Sequence, residues 1–244
     1  MKLKLPDLTQ TRILLIAGDE DALRRRAFSE VLAGLGVAAD DFDLEAFNAD
    51  TRPPQDWEAA AGTPPFFSPR RVVIVRQVLR QDPPAKSLAI PESGFLLLVA
   101  DEESGSEDKQ RQFTTRGKAW AKWCKEAGGY TVDCTVDPKL LQNLLRAEAE
   151  QMGKKMSVPA AKLLEEMTGA NFSRAIGEIE KLSLYLGDRH EIREEDVRKV
   201  VFPTRDWSLW SLIDAVIDQK PAVALAELRS LLGTSTKVEE AANR

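Results

Sequence analysis

Apolar residues follow two rhythms along this chain, and the change falls near Pro138. Before it, short apolar runs alternate with helical stretches. Ile13–Ala17 (ILLIA), residues 72–75 (VVIV) and residues 95–100 (FLLLVA) are apolar on both faces. Runs of that kind predict strands buried on both sides, as in a parallel sheet. Residues 41–47 alternate instead, with Phe42, Leu44 and Phe47 as the apolar set, and predict a strand nearer the sheet edge. Tyr130–Asp133 reads as a fifth, short strand. Between these runs, residues 22–35 repeat Leu23, Ala27, Val31 and Leu35 at helical spacing. Residues 55–61 predict a short helix carrying Trp57 after Pro53 and Pro54. Residues 118–127 place Trp120, Trp123 and Cys124 on one helical face, which reads as core. Strand and helix in alternation imply an α/β domain with a parallel sheet.

Beyond Pro138 every apolar pattern is helical. Residues 138–152 carry Leu140, Leu141, Leu144 and Leu145. Ser157 is placed to cap a helix with Pro159 in its first turn and Leu163, Leu164 and Met167 buried. Thr168-Gly169 breaks it, and residues 171–186 form a longer stripe of Phe172, Ala175, Ile176, Ile179, Leu182 and Leu186. Glu194, Glu195 and Asp196 open an acidic helix start after Ile192. Phe202-Pro203 marks a boundary. Residues 207–219 then carry Leu209, Trp210, Ile213, Val216 and Ile217, residues 222–232 begin another helix, and the polar residues 234–244 read as a frayed end. The domains expected are 1–136 (α/β), 137–203 (helical) and 204–244 (the start of a further helical domain).

Composition narrows the function classes. A net charge of −5 over 244 residues does not describe a surface devoted to nucleic acid. The N-terminus (MKLKLPDLTQTR) lacks the apolar stretch of a signal peptide, and no run nears the roughly 20 apolar residues of a membrane span. Cys124 and Cys134 are not at a zinc or redox spacing and read as reduced, structural thiols of a cytoplasmic protein. His190, with no second His or Cys near it, supports neither a metal site nor a catalytic triad and reads as an exposed loop residue. No metal or cofactor is expected.

Two motifs resemble nucleotide machinery without completing it. Gly18-Asp19-Glu20-Asp21 sits where a strand–loop–helix unit would hold a phosphate loop. Such a loop needs convergent backbone N–H groups, a lysine, and a Ser or Thr for magnesium. This one offers three acids and no lysine, so Gly18, Asp19 and Glu20 read as a degenerate, non-binding loop, with Asp19 or Asp21 as the helix N-cap. Asp101-Glu102 ends an apolar strand, as a magnesium-binding pair would, but lacks the matching loop, and residues 103–108 continue as an acidic surface loop. Arg24, Arg25 and Arg26 fan around a helix and read as a solvated face. An ATPase using Asp101 and Glu102, or a nucleic-acid module using Arg24–Arg26 with Arg70 and Arg71, stands as an alternative function.

The stretch that organises the chain is GTPPFFSPRRVVIVR, Gly62 to Arg76. Its prolines exclude a strand interior, so Phe66 and Phe67 fall on a turn or helix end at the edge of the sheet. Either the two rings fold back into the core, or at least one is held out as an anchor for a partner's pocket.

The ordered set of motifs resembles the delta subunits of bacterial DNA polymerase III clamp loaders, which are AAA+ related. The matching residues are Gly18-Asp19-Glu20; Phe66-Phe67-Ser68 followed by Arg70-Arg71 and a Val-rich strand; FLLLVAD; Thr168-Gly169 with the helix from Arg174 to Gly187; and Ile192 to Val197. The resemblance runs from about Ile13 to Leu232. It implies an AAA+-like five-stranded domain, a helical lid and the start of an all-α collar, most of which is expected to be missing. It also implies a non-catalytic subunit of a DNA polymerase assembly. Phe66 and Phe67 would then be the apolar wedge that binds the sliding clamp and favours an opened ring during replication. Burial of two such rings supplies about 3–6 kcal/mol. Expected partners are the sliding clamp, the ATPase and delta-prime subunits of the loader, and DNA weakly or within the complex, with no membrane. Arg174, near the position of a nucleotide-sensing arginine in active AAA+ lids, is not read as a sensor.

Overall fold

Five parallel strands form the sheet: β1 (Ile13–Ala17), β2 (Leu44–Asn48), β3 (Arg71–Arg76), β4 (Gly94–Val99) and β5 (Tyr130–Asp133), in the spatial order β2-β3-β4-β1-β5. The structure is a computed structural model. It describes residues 4–38, 41–102, 107–169 and 171–202, and beyond them residues 212, 213, 215–217, 219–221, 223–225 and 228. The chain divides into two units, Lys2–Thr135 and Val136–Arg244.

The first unit carries the sheet with α1 (Asp21–Leu35), α2 (Pro54–Gly62) and α3 (Glu107–Glu126). The step from β1 to β2 crosses the sheet in one direction, and the steps through α2 and α3 run in the other. Right-handed crossovers therefore put α1 on one face and α2 with α3 on the other. Packing agrees. Ile13, Leu15, Val73, Val75, Leu96 and Leu98 form one cluster with Trp57 of α2 and with Trp120, Trp123 and Cys124 of α3. The intervening Leu14, Ile16, Val72, Ile74, Phe95 and Leu97 are equally buried and point to the opposite face, as strand alternation requires. Trp57 and Trp120 lie 6.3 Å apart, and Trp120 meets Trp123 edge-on at 5.5 Å. The indole N–H groups of Trp120 and Trp123 donate to the carbonyls of Gln81 and Lys86. These tryptophans are core, as their spacing indicates.

Three local expectations change. β2 starts at Leu44, because the backbone N–H groups of Asp43 and Leu44 turn back onto the side chain and carbonyl of Asp41. Phe42 therefore lies in a turn, outside the strand. The N-cap of α1 is Glu20, without a side-chain capping bond. Asp21 lies inside the first turn and pairs with Arg25 at 3.1 Å, so neither Asp19 nor Asp21 caps the helix. α3 begins at Glu107, well before residue 118, so the acidic stretch expected as a loop ends in a helix; residues 103–106 lie outside the described residues.

The second unit holds α4 (Leu141–Gln151), α5 (Val158–Thr168), α6 (Phe172–Leu186) and α7 (Glu194–Val200). Ser157 caps α5 and Asn171 caps α6 through their side-chain oxygens. Leu140, the first leucine of the 138–152 pattern, is exposed at the end of a 3-10 turn that Asp137 caps, while Leu141 and Leu145 are buried. A two-residue parallel ladder, β6 (Lys155–Met156) with β7 (Glu191–Ile192), ties the segment before α5 to the segment before α7. Pairs that short carry no periodicity for a sequence reading to detect. His190 is exposed. The Arg174 guanidinium donates to the Phe202 carbonyl at 3.1 Å. Leu209, Trp210 and Pro203 lie outside the described residues, as does the polar end.

Candidate functional site

The loop between α2 and β3 turns its two aromatic rings outward. Phe66 is 67% exposed and Phe67 85%. Aromatic side chains in that position would ordinarily collapse onto the surface. Here the backbone beneath them is fixed. The Asp43 carboxylate, wholly buried, accepts the N–H of Phe66 on one oxygen and those of Phe67 and Ser68 on the other, each at 2.7 Å. Asp41 accepts the Ser68 hydroxyl at 3.0 Å. Burial by itself raises the Asp43 pKa. The three N–H donors, with the Arg71 charge at 3.9 Å, reverse that and hold it below the ordinary Asp value. Three successive N–H groups thus close on an internal anion, a concavity of the sort that elsewhere binds phosphate.

Arg71 also donates to the Phe42 carbonyl at 2.9 Å and to Glu45 at 2.7 Å. Arg70 donates to the carbonyls of Leu8, Thr9 and Thr11. Both arginines are structural ties between the loop, the N-terminal segment and the sheet edge. These bonds weigh against the alternative that would use them as a nucleic-acid contact. Phe42 is 65% exposed and meets Phe66 at 5.3 Å and Phe67 at 6.1 Å, both edge-on. The alternation along residues 41–47 places Phe42 in the strand and gives no sign of the role of Asp43. The available signal was Asp-Phe-Asp, since Asp side chains favour turns by bonding backbone two residues on.

At the opposite end of the sheet the degenerate loop is closed onto the protein. The Glu20 N–H donates to the Cys134 carbonyl at 3.1 Å. Gly18 adopts φ +135°, and a Cβ there would fall 2.3 Å from the Cys134 carbonyl carbon. Arg24 reaches back to the Gly18 carbonyl at 2.5 Å and is largely buried, which corrects its reading as part of a solvated face; Arg25 is exposed. A cavity of about 540 Å³ opens beside this loop, lined in part by Gly18, Asp19, Arg24, Glu102, Lys118 and Asp133.

Asp101 and Glu102 have structural work at that end. Asp101 accepts from Arg76 at 2.7 Å and from the Gln77 N–H at 2.8 Å, and Glu102 accepts the Leu79 N–H. Together they hold the turn after β3, where Gln77 sits at φ 57°. Burial pushes the Glu102 pKa up to about 7, aided by the neighbouring Asp101 charge and opposed by backbone N–H donors, its own and that of Leu79. Both thiols are free and buried, and burial pushes Cys134 up to about 12. Among the described residues no group of acids, His or Cys is arranged to hold a metal ion, and no helix is long and apolar enough to cross a membrane.

The first unit is a five-stranded parallel α/β domain whose loop after β1 lacks the lysine and the Ser or Thr of a phosphate-binding loop. In sequence the chain is homologous to DNA polymerase III subunit delta of Bacillus subtilis (strain 168), at 28% identity over 208 residues. That match covers 79% of this chain and 57% of the relative, so the chain spans little more than half the relative's length. The Bacillus subtilis DNA clamp loader delta protein (YqeN) has the same fold, with a TM-score of 0.60 at 22% identity over 91% of this chain and 67% of that one. RuvB of Thermotoga maritima is more distant, with a TM-score of 0.43 at 16% identity over 78% of this chain and 60% of that one. No protein-family model matches.

Proposed function

We propose that this chain is a clamp-loader delta subunit that docks on the sliding clamp through Phe66 and Phe67 and favours an opened ring. The observation that carries the reading is the pair of exposed rings on a backbone locked by a buried carboxylate. Rings held in place before docking lose little entropy and bury a large apolar area. The homology to a polymerase III delta subunit supports the identity of the partner. In this reading the loop at Gly18, Asp19 and Glu20 binds no nucleotide, since its acids repel phosphate and its Glu20 N–H is engaged by Cys134. ATP hydrolysis then belongs to other subunits of a cytoplasmic loader. Residues 137–203 serve as a lid and residues 204–244 as the start of a collar that joins those subunits.

The test is binding of the cognate sliding clamp by the wild type and by Phe66→Ala/Phe67→Ala, with circular dichroism as the folding control. The expected outcome is a loss of about 3 kcal/mol or more, more than a hundredfold in affinity. Equal binding by a folded double mutant sinks the reading, and so does a wild type that does not bind.

A further inference from the structure

The aromatic surface contains more than the adjacent pair. Phe42 comes from the turn before β2, while Phe66 and Phe67 come from the loop before β3. The three rings nevertheless make one contiguous patch, with centroid separations of 5.3, 6.1 and 6.5 Å. At the 150–250 Å² an aromatic side chain presents, their exposed fractions give roughly 400 Å² of apolar surface. That is as large as the functional patches of typical monomers.

The two segments are fastened by the same groups. Asp43, next to Phe42 in the chain, holds the Phe66–Ser68 backbone. Asp41, on the other side of Phe42, holds the Ser68 hydroxyl and the Asp43 N–H. Arg71, which follows the loop, holds the Phe42 carbonyl. The bonds run in both directions, so neither segment can move without the other. A ring that merely covered the loop would be buried by it, yet Phe42 keeps 65% of its surface open.

We infer that Phe42 is a third anchor of the docking surface, contributing its own contact to the partner. The inference rests on the reading of Phe66 and Phe67 as a clamp-binding pair. It specifies the partner's side: an apolar pocket wide enough for three rings. The neighbouring charges are engaged within the protein, Arg70 on backbone carbonyls and Arg71 on Phe42, Asp43 and Glu45. Association through this surface therefore depends only weakly on salt, whereas contact with about six to ten nucleic-acid phosphates weakens roughly 10³–10⁵-fold when salt rises from about 50 to 200 mM.

The experiment measures clamp binding by the wild type, Phe42→Ala, Phe66→Ala/Phe67→Ala and, as a control on α6, Leu184→Ala, at low and moderate salt. Amide exchange at Phe66, Phe67 and Ser68 is followed in each free protein. The expected result is a loss of about tenfold or more for Phe42→Ala. Loop amides stay as protected as in the wild type, the control binds normally, and salt has little effect. Normal clamp binding by Phe42→Ala, alongside a defect in the Phe66/Phe67 double mutant, overturns this inference and leaves the two-ring reading intact. A wild type that does not bind overturns both. Loop amides that lose protection in Phe42→Ala show Phe42 to be a packing residue and overturn its role as an anchor. Self-association of the chain that is lost in Phe42→Ala identifies a second copy as the occupant and overturns it as well.

Discussion

Two loops at opposite ends of one sheet treat their backbone N–H groups in contrasting ways. After β1, the Gly18–Glu20 loop packs against Cys134, and its Glu20 N–H meets a carbonyl. Before β3, the Phe66–Ser68 loop gathers three N–H groups around an anion, and the anion is the protein's own Asp43. The first occupies the position of a ligand loop but lacks the lysine and hydroxyl such a loop needs, and its Glu20 N–H is already engaged. The second has the donors and directs them inward, which leaves side chains free to face out. An anion-binding backbone can thus serve presentation rather than capture, provided the charge is supplied from inside.

Three perturbations test the two sides of this contrast. The largest effect is expected at the closed loop. Gly18→Ala would place a Cβ against the Cys134 backbone at a φ that L-residues rarely adopt. It should cost about 3 kcal/mol or more, read as a shift in the denaturation midpoint at unchanged slope. A cost below about 1 kcal/mol would mean that the loop relaxes and is not held by Cys134.

At the presenting loop, Asp43→Asn keeps the shape but removes the charge and one acceptor. Phe66–Ser68 amide exchange should quicken, with a fall in melting temperature of roughly 5–10 °C. Acid should act in the same direction. The folded pKa of Asp43 lies below its ordinary value, so its contribution is complete above the ordinary Asp range and fades as pH falls through the depressed folded value. Amide shifts of Phe66 and Phe67 followed from pH 7 downward (roughly to pH 2) should hold steady past the usual carboxylate titration and move only below it. Movement near an ordinary Asp midpoint would remove Asp43 as the latch.

The smallest effect is expected beside the closed loop, at Glu102. Its folded pKa, about 7, lies above the ordinary Glu value, so the folded state retains a proton that the unfolded state has released. Stability therefore falls as pH rises between those two values. Glu102→Gln keeps the acceptor for Leu79 and should stabilise the protein by about 2 kcal/mol near pH 8, with no gain near pH 4. Equal midpoints at both pH values would show that the carboxyl is solvated.

The legibility of these regions in sequence differs for a physical reason. Both-face apolar runs such as ILLIA and FLLLVA have one stable environment, the middle of a covered sheet, and so they announce β1 and β4 and, through the intervening helices, the α/β order. The lack of a lysine and the excess of acids after β1 are equally plain, because phosphate chemistry demands particular side chains. The Phe66-Phe67 pair was visible as a candidate, but its orientation was not, since a ring beside prolines can turn either way. The roles of charged residues were the least legible. Arg24 reads as part of a solvated face, and Arg70 and Arg71 as candidates for a nucleic-acid contact, yet all three are structural ties, because long side chains reach partners set by the fold.

Local periodicity and residue chemistry along the chain are enough to give the five strands of the sheet to within a few residues, their alternation with helices, the change to helices after Pro138, and the disabled loop at Gly18. Only the folded arrangement brings Asp43 to Phe66–Ser68 across more than 20 residues of chain and adds Phe42 to their rings. It also lets Asp101 and Glu102 brace the turn after β3. Each of these depends on which strand ends the sheet order makes neighbours. The pairing of β2 with β3 brings the two loops together, and no pattern along the chain encodes that pairing.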